Sequence, residues 1–402
     1  MNTIDALELS NWRQFSIVNI DTRSHTTVLT GANGCGKTTI LNVISSHFGW
    51  NLSFLAVPHL GKKGKLRIYS DILELSDREK PDPGSTTIGS IRYSDSPSCS
   101  LLMPPPSKDN PQYQLQYSDK PNLEGLHIPS HRPSMTFQRV DTLPINPKTN
   151  QQHYQEFQTL LQQTQMSAKV QNPGMVLKQS LISLALFGYG NQAVAENPEY
   201  RELFEGFQEV LKHVLPVSLG FEKLEVRMPD VVLVTKTGTF ALDAMSGGVN
   251  SVFGITWQIY MYGSDRDGCT VVIDEPENHL HPSMQRTLLP SLEKAFPKNR
   301  FIVATHSPFI VTSNPRAKVY ALSYDENKKI ESRLLEEADL TGSADSVLRD
   351  ILDVPTTIPV WVETRVRDIL AKYDSTSDSN EKIEKIIREL EEAGLDRGAL
   401  GL

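Results

Sequence analysis

Cysteine is scarce in this 402-residue chain: only Cys35, Cys99 and Cys269, widely spaced. An odd, scattered set builds no disulfide framework and no C-x-x-C metal pair, and points to a reducing compartment. Long apolar runs are missing. A stretch such as Leu181–Phe187 is far short of the roughly 20 residues that cross a bilayer, so no membrane partner is expected. Met1–Trp12 carries no basic segment followed by an apolar one, the pattern of a secretory leader. Nor is positive charge in excess. Lys and Arg number 40 against 48 Asp and Glu, a formal net charge of −8. That excludes a generally basic nucleic-acid coat, while a local basic patch can still hold phosphate. There is no internal repeat and no heptad run long enough for coiled-coil arms. What is present is ordinary globular material, 39% hydrophobic and 22% charged. The expectation is a cytoplasmic protein of two or three domains, at roughly 150 residues each.

Read along its length, the chain changes character. Ile17–Val18 and Thr26–Thr30 are β-like, and a helix begins near Lys37 and carries Ile40, Leu41, Ile44 and Phe48 on one face. Residues 51–150 are rich in Pro, Ser and Gly with short β-like pieces at Ile88–Tyr93 and Tyr113–Tyr117, which predicts an antiparallel β-rich lobe with long loops. Pro104–Pro111 reads as a mobile loop. Residues 151–219 predict a helical lobe. Asn197-Pro-Glu is a helix start, with Asn as N-cap and Pro at N1. Val231–Val234, Cys269–Ile273, Phe301–Ala304 and Val319–Leu322 are apolar runs that suit a mainly parallel sheet. From 336 onward helices return. Asp374–Asn380 reads as a polar linker, Asp378 and Glu381 as a capping box, and Ile383, Ile386, Ile387 and Leu390 as an apolar stripe.

The chemistry is concentrated in four places. Gly31-Ala-Asn33-Gly34-Cys35-Gly36-Lys37-Thr38-Thr39 matches G-x-x-x-x-G-K-[ST], after a strand and before a helix, where backbone N–H groups and the helix N-terminus can cradle phosphate. Lys37 would reach the β- and γ-phosphates, and Thr38 would place its hydroxyl on Mg²⁺. Cys35 is read as a small loop residue. Thr270-Val-Val-Ile-Asp274-Glu275-Pro ends a buried strand in two acids. Asp274 suits Mg²⁺, and Glu275 suits the orientation or deprotonation of an attacking water. A later apolar strand ends in Thr305-His306-Ser307, which puts an imidazole beside a γ-phosphate. Ser246-Gly247-Gly248 opens a helix and forms a second anion site.

This order of motifs resembles the ABC-type ATPase heads of the SMC, RecF and RecN group. Asp274-Glu-Pro-Glu-Asn-His-Leu-His281-Pro and Ala304-Thr-His-Ser-Pro-Phe-Ile310 are most similar to the overcoming-lysogenization-defect family. They are also similar to the ATPases of antiphage systems such as Septu, PARIS and some retrons, which act with an effector. Gly342-Ser-Ala-Asp-Ser-Val-Leu348 adds to the likeness. The resemblance implies an α/β fold. The expected ABC-type head is split over 1–335, with its core at 1–50 and 220–335, a β-rich lobe at 51–150, a helical lobe at 151–219 and a helical tail at 336–402. It implies ATP and Mg²⁺ as ligands. Lys37 and Thr38 would form the Walker A pair and Asp274 and Glu275 the Walker B pair, with Glu275 as base and His306 as the switch histidine. Ser246, Gly247 and Gly248 would be a signature acting on the nucleotide of a second copy. Pro276–Pro282 would form the D-loop, with Asn278 and His279 facing that copy. Arg13, in Asn11-Trp-Arg-Gln-Phe15, occupies a place where related heads contact nucleotide. Gln138 and Ser130-His-Arg132-Pro are candidates for the Q-loop.

The signature departs from the transporter form, since Met245 precedes Ser246 and Val249 follows the glycines; this disfavours a transporter subunit. A TOPRIM nuclease domain is not expected either. Val360-Trp-Val-Glu363 lacks the glycine after the acid, no Asp-x-Asp follows, and the stretch reads as helix. The expected function is therefore a nucleotide-switched sensor or scaffold that controls a separate nuclease or toxin. The alternative is a RecF-like repair clamp, for which Lys62-Lys63-Gly64-Lys65-Leu66-Arg67 supplies a candidate DNA contact.

Overall fold

The computed structural model describes residues 2–60, 64–72, 84–132, 137–143, 148–166, 172–352, 354, 356, 358–372 and 379–392. Lys62, Lys63 and Asp378, with most of the Asp374–Asn380 stretch, lie outside the described residues. The chain opens with β1 (Ile4–Trp12), β2 (Phe15–Asp21), β3 (Thr26–Gly31) and α1 (Lys37–Ser45). Next come β4 (Phe54–Leu55), β5 (Val57–Leu60), β6 (Leu66–Ser70), β7 (Thr86–Tyr93), β8 (Cys99–Met103), β9 (Gln112–Tyr113), β10 (Gln116–Tyr117) and β11 (Gly125–Ile128). Helices α2 (Asn150–Met166), α3 (Pro173–Tyr189) and α4 (Pro198–Val214) precede β12 (Phe221–Arg227), β13 (Asp230–Thr235) and β14 (Gly238–Ala241). Then follow α5 (Gly247–Gly263), β15 (Thr270–Asp274), α6 (Pro282–Ala295), β16 (Arg300–Ala304), α7 (Pro308–Val311), β17 (Lys318–Tyr324) and β18 (Ile330–Leu334). The last helices are α8 (Glu337–Leu340), α9 (Ala344–Asp350), α10 (Val360–Lys372) and α11 (Ser379–Glu392). Compact packing divides the chain into Met1–Thr341 and Gly342–Leu402.

One eleven-stranded sheet organises the first unit, in the order β10-β8-β7-β1-β2-β18-β17-β3-β16-β15-β11. From β17 to β11 every pair is parallel. These strands are short, β-branched and apolar; all residues of β3 and β15 are buried. Such runs suit a sheet covered on both faces. The other flank, β10 to β2, is antiparallel. The α/β architecture with a parallel core, antiparallel strands and helices is thus the one expected.

The connectivity adds detail. β11 falls within the stretch read as a β-rich lobe, yet it pairs with β15 as a core strand. β7, β8 and β10 extend the main sheet. Pro104–Pro111 is pinned: Tyr69 N–H donates to Ser107 O and Ala56 N–H to Pro111 O, both at 2.7 Å. Val231–Val234 does not join the parallel core. It lies in β13, the middle of a separate antiparallel sheet, β12-β13-β14. The connections on either side of β13 are two residues long, which permits only antiparallel neighbours.

Helices α2 to α5 form a second packed body. Asn172 caps α3 by accepting from Gly174 N–H at 2.9 Å, and Asn197 caps α4 through Glu199 and Tyr200. The buried face of α4 is Tyr200, Phe204, Phe207, Leu211 and Val214, the spacing of one helical side. It meets α5 edge-on, Phe207 to Phe253 at 5.3 Å, while Phe157 of α2 meets Trp257 at 5.0 Å. No helix of the described residues is long and apolar enough to cross a membrane.

Candidate nucleotide site

The glycine-rich loop joins β3 to α1 at the C-terminal edge of the parallel strands, the side on which open α/β sheets bind ligands. Gly36 is the N-cap of α1 with φ 88°. A Cβ there would stand 2.4 Å from Cζ of Phe15. Only glycine allows both the left-handed turn and the aromatic ring beneath it. Lys37 is 7% exposed, and its ammonium donates to the carbonyls of Gly31 at 2.8 Å and Ala32 at 3.0 Å. Asn33, Gly34 and Thr38 face outward and Thr39 is half-buried. Cys35 is buried, and burial raises its thiol pKa, which leaves an inert packing residue.

Thr38 donates from its hydroxyl to Oδ2 of Asp274 at 2.9 Å. Two residues far apart in sequence are thereby brought together, one in the first turn of α1 and the other at the end of β15. Asp274 is 2% exposed. Burial, opposed by the Thr38 bond and abetted by the charges of Glu275 and Glu277, lifts its pKa to about 6. Its Oδ1 is buried without a partner. A hydroxyl and an under-satisfied carboxylate are the hard oxygen donors that Mg²⁺ takes, so these residues fit the ion.

Glu275 adopts φ 47°, a left-handed backbone that costs roughly 1–2 kcal/mol in a non-glycine residue. Three contacts hold it there. Its N–H donates to Ala304 O at 2.8 Å, Arg132 Nη2 donates to its carbonyl at 2.9 Å, and Asn278 Nδ2 donates to its Oε2 at 3.0 Å. Asn278 also donates to Ser130 O at 3.2 Å. His306, in the turn after β16, brings Nδ1 within 3.5 Å of Glu275 Oε1. The geometry therefore gathers Lys37, Thr38, Asp274, Glu275 and His306 at one edge of the sheet.

Ser246 is the N-cap of α5, and Ser246 and Gly247 are exposed. Among the described residues no hydrogen bond or ion pair joins Ser246, Gly247 or Gly248 to the 31–39 loop of the same chain. Gly248 is needed for local packing: a Cβ would meet His279 O at 3.1 Å and Met284 Sδ at 3.3 Å. Arg13 lies in the β1–β2 turn with φ 54°. Its guanidinium pairs with Asp71 at 3.1 Å. Its neighbour Gln14 is the one that reaches the loop, donating to Gly34 O at 2.6 Å.

Three contributors lie beside the named site residues rather than among them: Gln14 and Phe15 next to Arg13, and Glu277 within the Asp274–Pro282 motif. Arg132, one candidate for the Q-loop, donates to the carbonyls of both Asp274 and Glu275. Burial lowers its pKa to about 10 against the opposing charges of Glu277, Asp274 and Glu275, so it stays protonated at neutral pH. Gln138, the other candidate, presents its main-chain carbonyl to Lys178 at 2.8 Å.

Fold and site together define a P-loop nucleotide-binding protein. A family model described as "AAA domain" matches residues 6–225, and the chain belongs to that family. A second model, whose description opens "AAA domain" and ends "Type IV TA system", matches residues 184–312. Among curated proteins the chain is similar to the Septu protein PtuA of Bacillus thuringiensis, 24% identical over 37% of this chain and 42% of that one. It is also similar to the "Retron Vc95 probable ATPase" of Vibrio cholerae, 49% identical over 11% of this chain and 8% of that one. The "Retron Ec83 probable ATPase" of Escherichia coli is 41% identical over 15% and 11%. The chain therefore spans less than half the length of each of these three relatives. The resemblance to ATPases of antiphage systems is borne out by these relatives. Solved structures that align include the SMC head domain from Thermotoga maritima, at 14% identity, TM-score 0.43, over 83% of this chain and 99% of that one. An SMC head bound to the C-terminal winged-helix domain of ScpA aligns at 16% identity and TM-score 0.46, over 83% and 99%.

Proposed function

We propose that this chain is an ATP-hydrolysing head that acts as the nucleotide-switched sensor or scaffold subunit of an antiphage defence system and controls a separate effector, a nuclease or toxin. The observation that carries the hydrolytic part is the Thr38–Asp274 bond with Glu275 and His306 beside it. Lys37 and the N-terminus of α1 bind the phosphates. Mg²⁺, held by Thr38 and Asp274, offsets phosphate charge when bound. Glu275 orients water and accepts its proton, and His306 contacts the γ-phosphate. Ser246 and Gly247 are exposed, and with Gly248 they complete the site of a second copy, so two chains sandwich two ATP molecules. The head spans 1–335, and 336–402 forms a helical tail. Turnover is slow, because the output is a conformational state.

The defence part is supported by the Septu and retron relatives. Glu275→Gln tests the hydrolytic part: the variant should bind ATP, turn over slowly and accumulate as a closed dimer in size-exclusion chromatography. Turnover at the wild-type rate would refute the assignment of the base. Ser246→Arg should bind ATP as a monomer and fail to dimerise. Affinity capture from the native host should bring down a nuclease or toxin; recovery of this chain alone, with unchanged phage plating on deletion, would sink the defence reading.

A further inference from the structure

Glu277 has no role in the steps above, yet it is 6% exposed. A carboxylate so buried is costly unless donors hold its charge. Its donors come from one place. Oε1 accepts the Thr305 hydroxyl at 2.6 Å and the His306 backbone N–H at 2.9 Å. Charge-assisted bonds of this kind are about twice as strong as neutral ones. Thr305 and His306 lie in the turn after β16, whereas Glu277 lies in the turn after β15. The sheet ladder aligns these strands as far as Asp274 and Ala304. Beyond it, the Glu275 N–H to Ala304 O bond is the last main-chain link. Glu277 then ties one loop to the other. Its Oε1 is also 3.5 Å from His306 Nδ1, as is Oε1 of Glu275. One imidazole nitrogen therefore faces both carboxylates.

We propose that Glu277 is a positioning residue that fixes His306 against Glu275, and through it the contact to the γ-phosphate. The proposal rests on the ATPase reading, and Glu277 acts only through His306. The test is a double-mutant cycle on the full chain: ATP turnover and KM for wild type, Glu277→Gln, His306→Ala and both together, with melting temperatures alongside. Glutamine keeps the size and one acceptor oxygen but removes the charge. Glu277→Gln should lower kcat by about 100-fold, the scale of a small misplacement at a reacting centre, with KM for ATP unchanged. In the His306→Ala background it should cost nothing further. Thr305→Val, which removes one of the two donors, should give a smaller loss that also vanishes with His306→Ala; it carries the same cycle if Glu277→Gln does not fold. Losses that multiply in the double variants overturn the proposal and leave the ATPase reading standing. A wild-type chain that does not hydrolyse ATP overturns both.

Discussion

Lys178 offers a sharp test of what holds the approach to Ser246 in place. It lies on α3 with a side chain 1% exposed. Its ammonium donates to Oδ2 of Asp243 at 2.6 Å and to Gln138 O at 2.8 Å, and it pairs with Asp230. Asp243 sits in the single turn Leu242–Ala244, just before Ser246, the N-cap of α5. Lys178→Met keeps most of the volume and deletes the charge. Asp230, 22% exposed, can rehydrate, but Asp243 at 9% is left stranded. Removing one partner of a buried pair costs roughly 3–5 kcal/mol, and the partial exposure of Asp230 places the loss near 3. Urea unfolding followed by tryptophan fluorescence reads it, since Trp257 donates its indole N–H to Ser180 of the same helix at 3.1 Å. The double variant Lys178→Met/Asp243→Asn removes the stranded charge and should recover at least half of the loss. A single-variant loss under about 1 kcal/mol, or a double variant no better than the single, would refute the reasoning, because a cost set by an unpaired buried charge must follow that charge.

Further expectations concern the loop and the buried imidazoles. Lys37→Ala should abolish binding of a fluorescent ATP analogue, since it removes the ammonium beside the loop carbonyls; affinity within threefold of wild type (about 0.65 kcal/mol) would disprove its role. Gly36→Ala and Gly34→Ala both force a left-handed alanine, at φ 88° and 82°, costing roughly 1–2 kcal/mol. Only Gly36→Ala also meets Phe15, whereas the Gly34 site is open within 4 Å; it should therefore lose clearly more stability, and equal melting temperatures would contradict the packing described. Burial lowers the pKa of His47 to about 4, His153 to about 4 and His127 to about 3. A folded pKa below the unfolded value means that the unfolded chain takes up these protons first. Stability is thus intact above about pH 6.5 and falls as pH drops toward 4, by roughly 1.4 kcal/mol per pH unit for each histidine. His127→Gln should reduce the slope of unfolding free energy against pH between 6 and 4 by about one proton; an unchanged slope would contradict its burial as a neutral ring.

The site was partly readable because its chemistry is local. Gly31–Thr39, Asp274–Glu275 and Thr305–Ser307 each combine a strand end with a diagnostic residue, and the parallel strands announce themselves by apolar, β-branched runs. The parts that escaped are pairings across long sequence distances. Nothing in Gln14-Phe15 says that the amide will reach Gly34 or that the ring will lie under Gly36. Lys178 looks like a polar interruption in an apolar helix until Asp230 and Asp243 are seen beside it. β11 is too short to signal that it completes the parallel edge. Val231–Val234 misled because apolar content reports burial, whereas the turn lengths on either side of β13 decide its sheet.

The interleaving of early and late strands bears on how the protein is made. β3, which leads into the phosphate loop, has β16 on one side and β17 on the other, and β2 pairs with β18. During synthesis the first three strands leave the ribosome long before the strands that flank them. At about 5–20 residues per second, β3 waits on the order of tens of seconds with an apolar face and open edges. β7 arrives early and covers the outer edge of β1, but it lies too far across the sheet to shield β3. The nucleotide site itself can close only after β17 has emerged, so a truncated or stalled chain has no route to a partly active head. Long-range closure of this kind is slow, and it makes β3 the segment most in need of protection during folding.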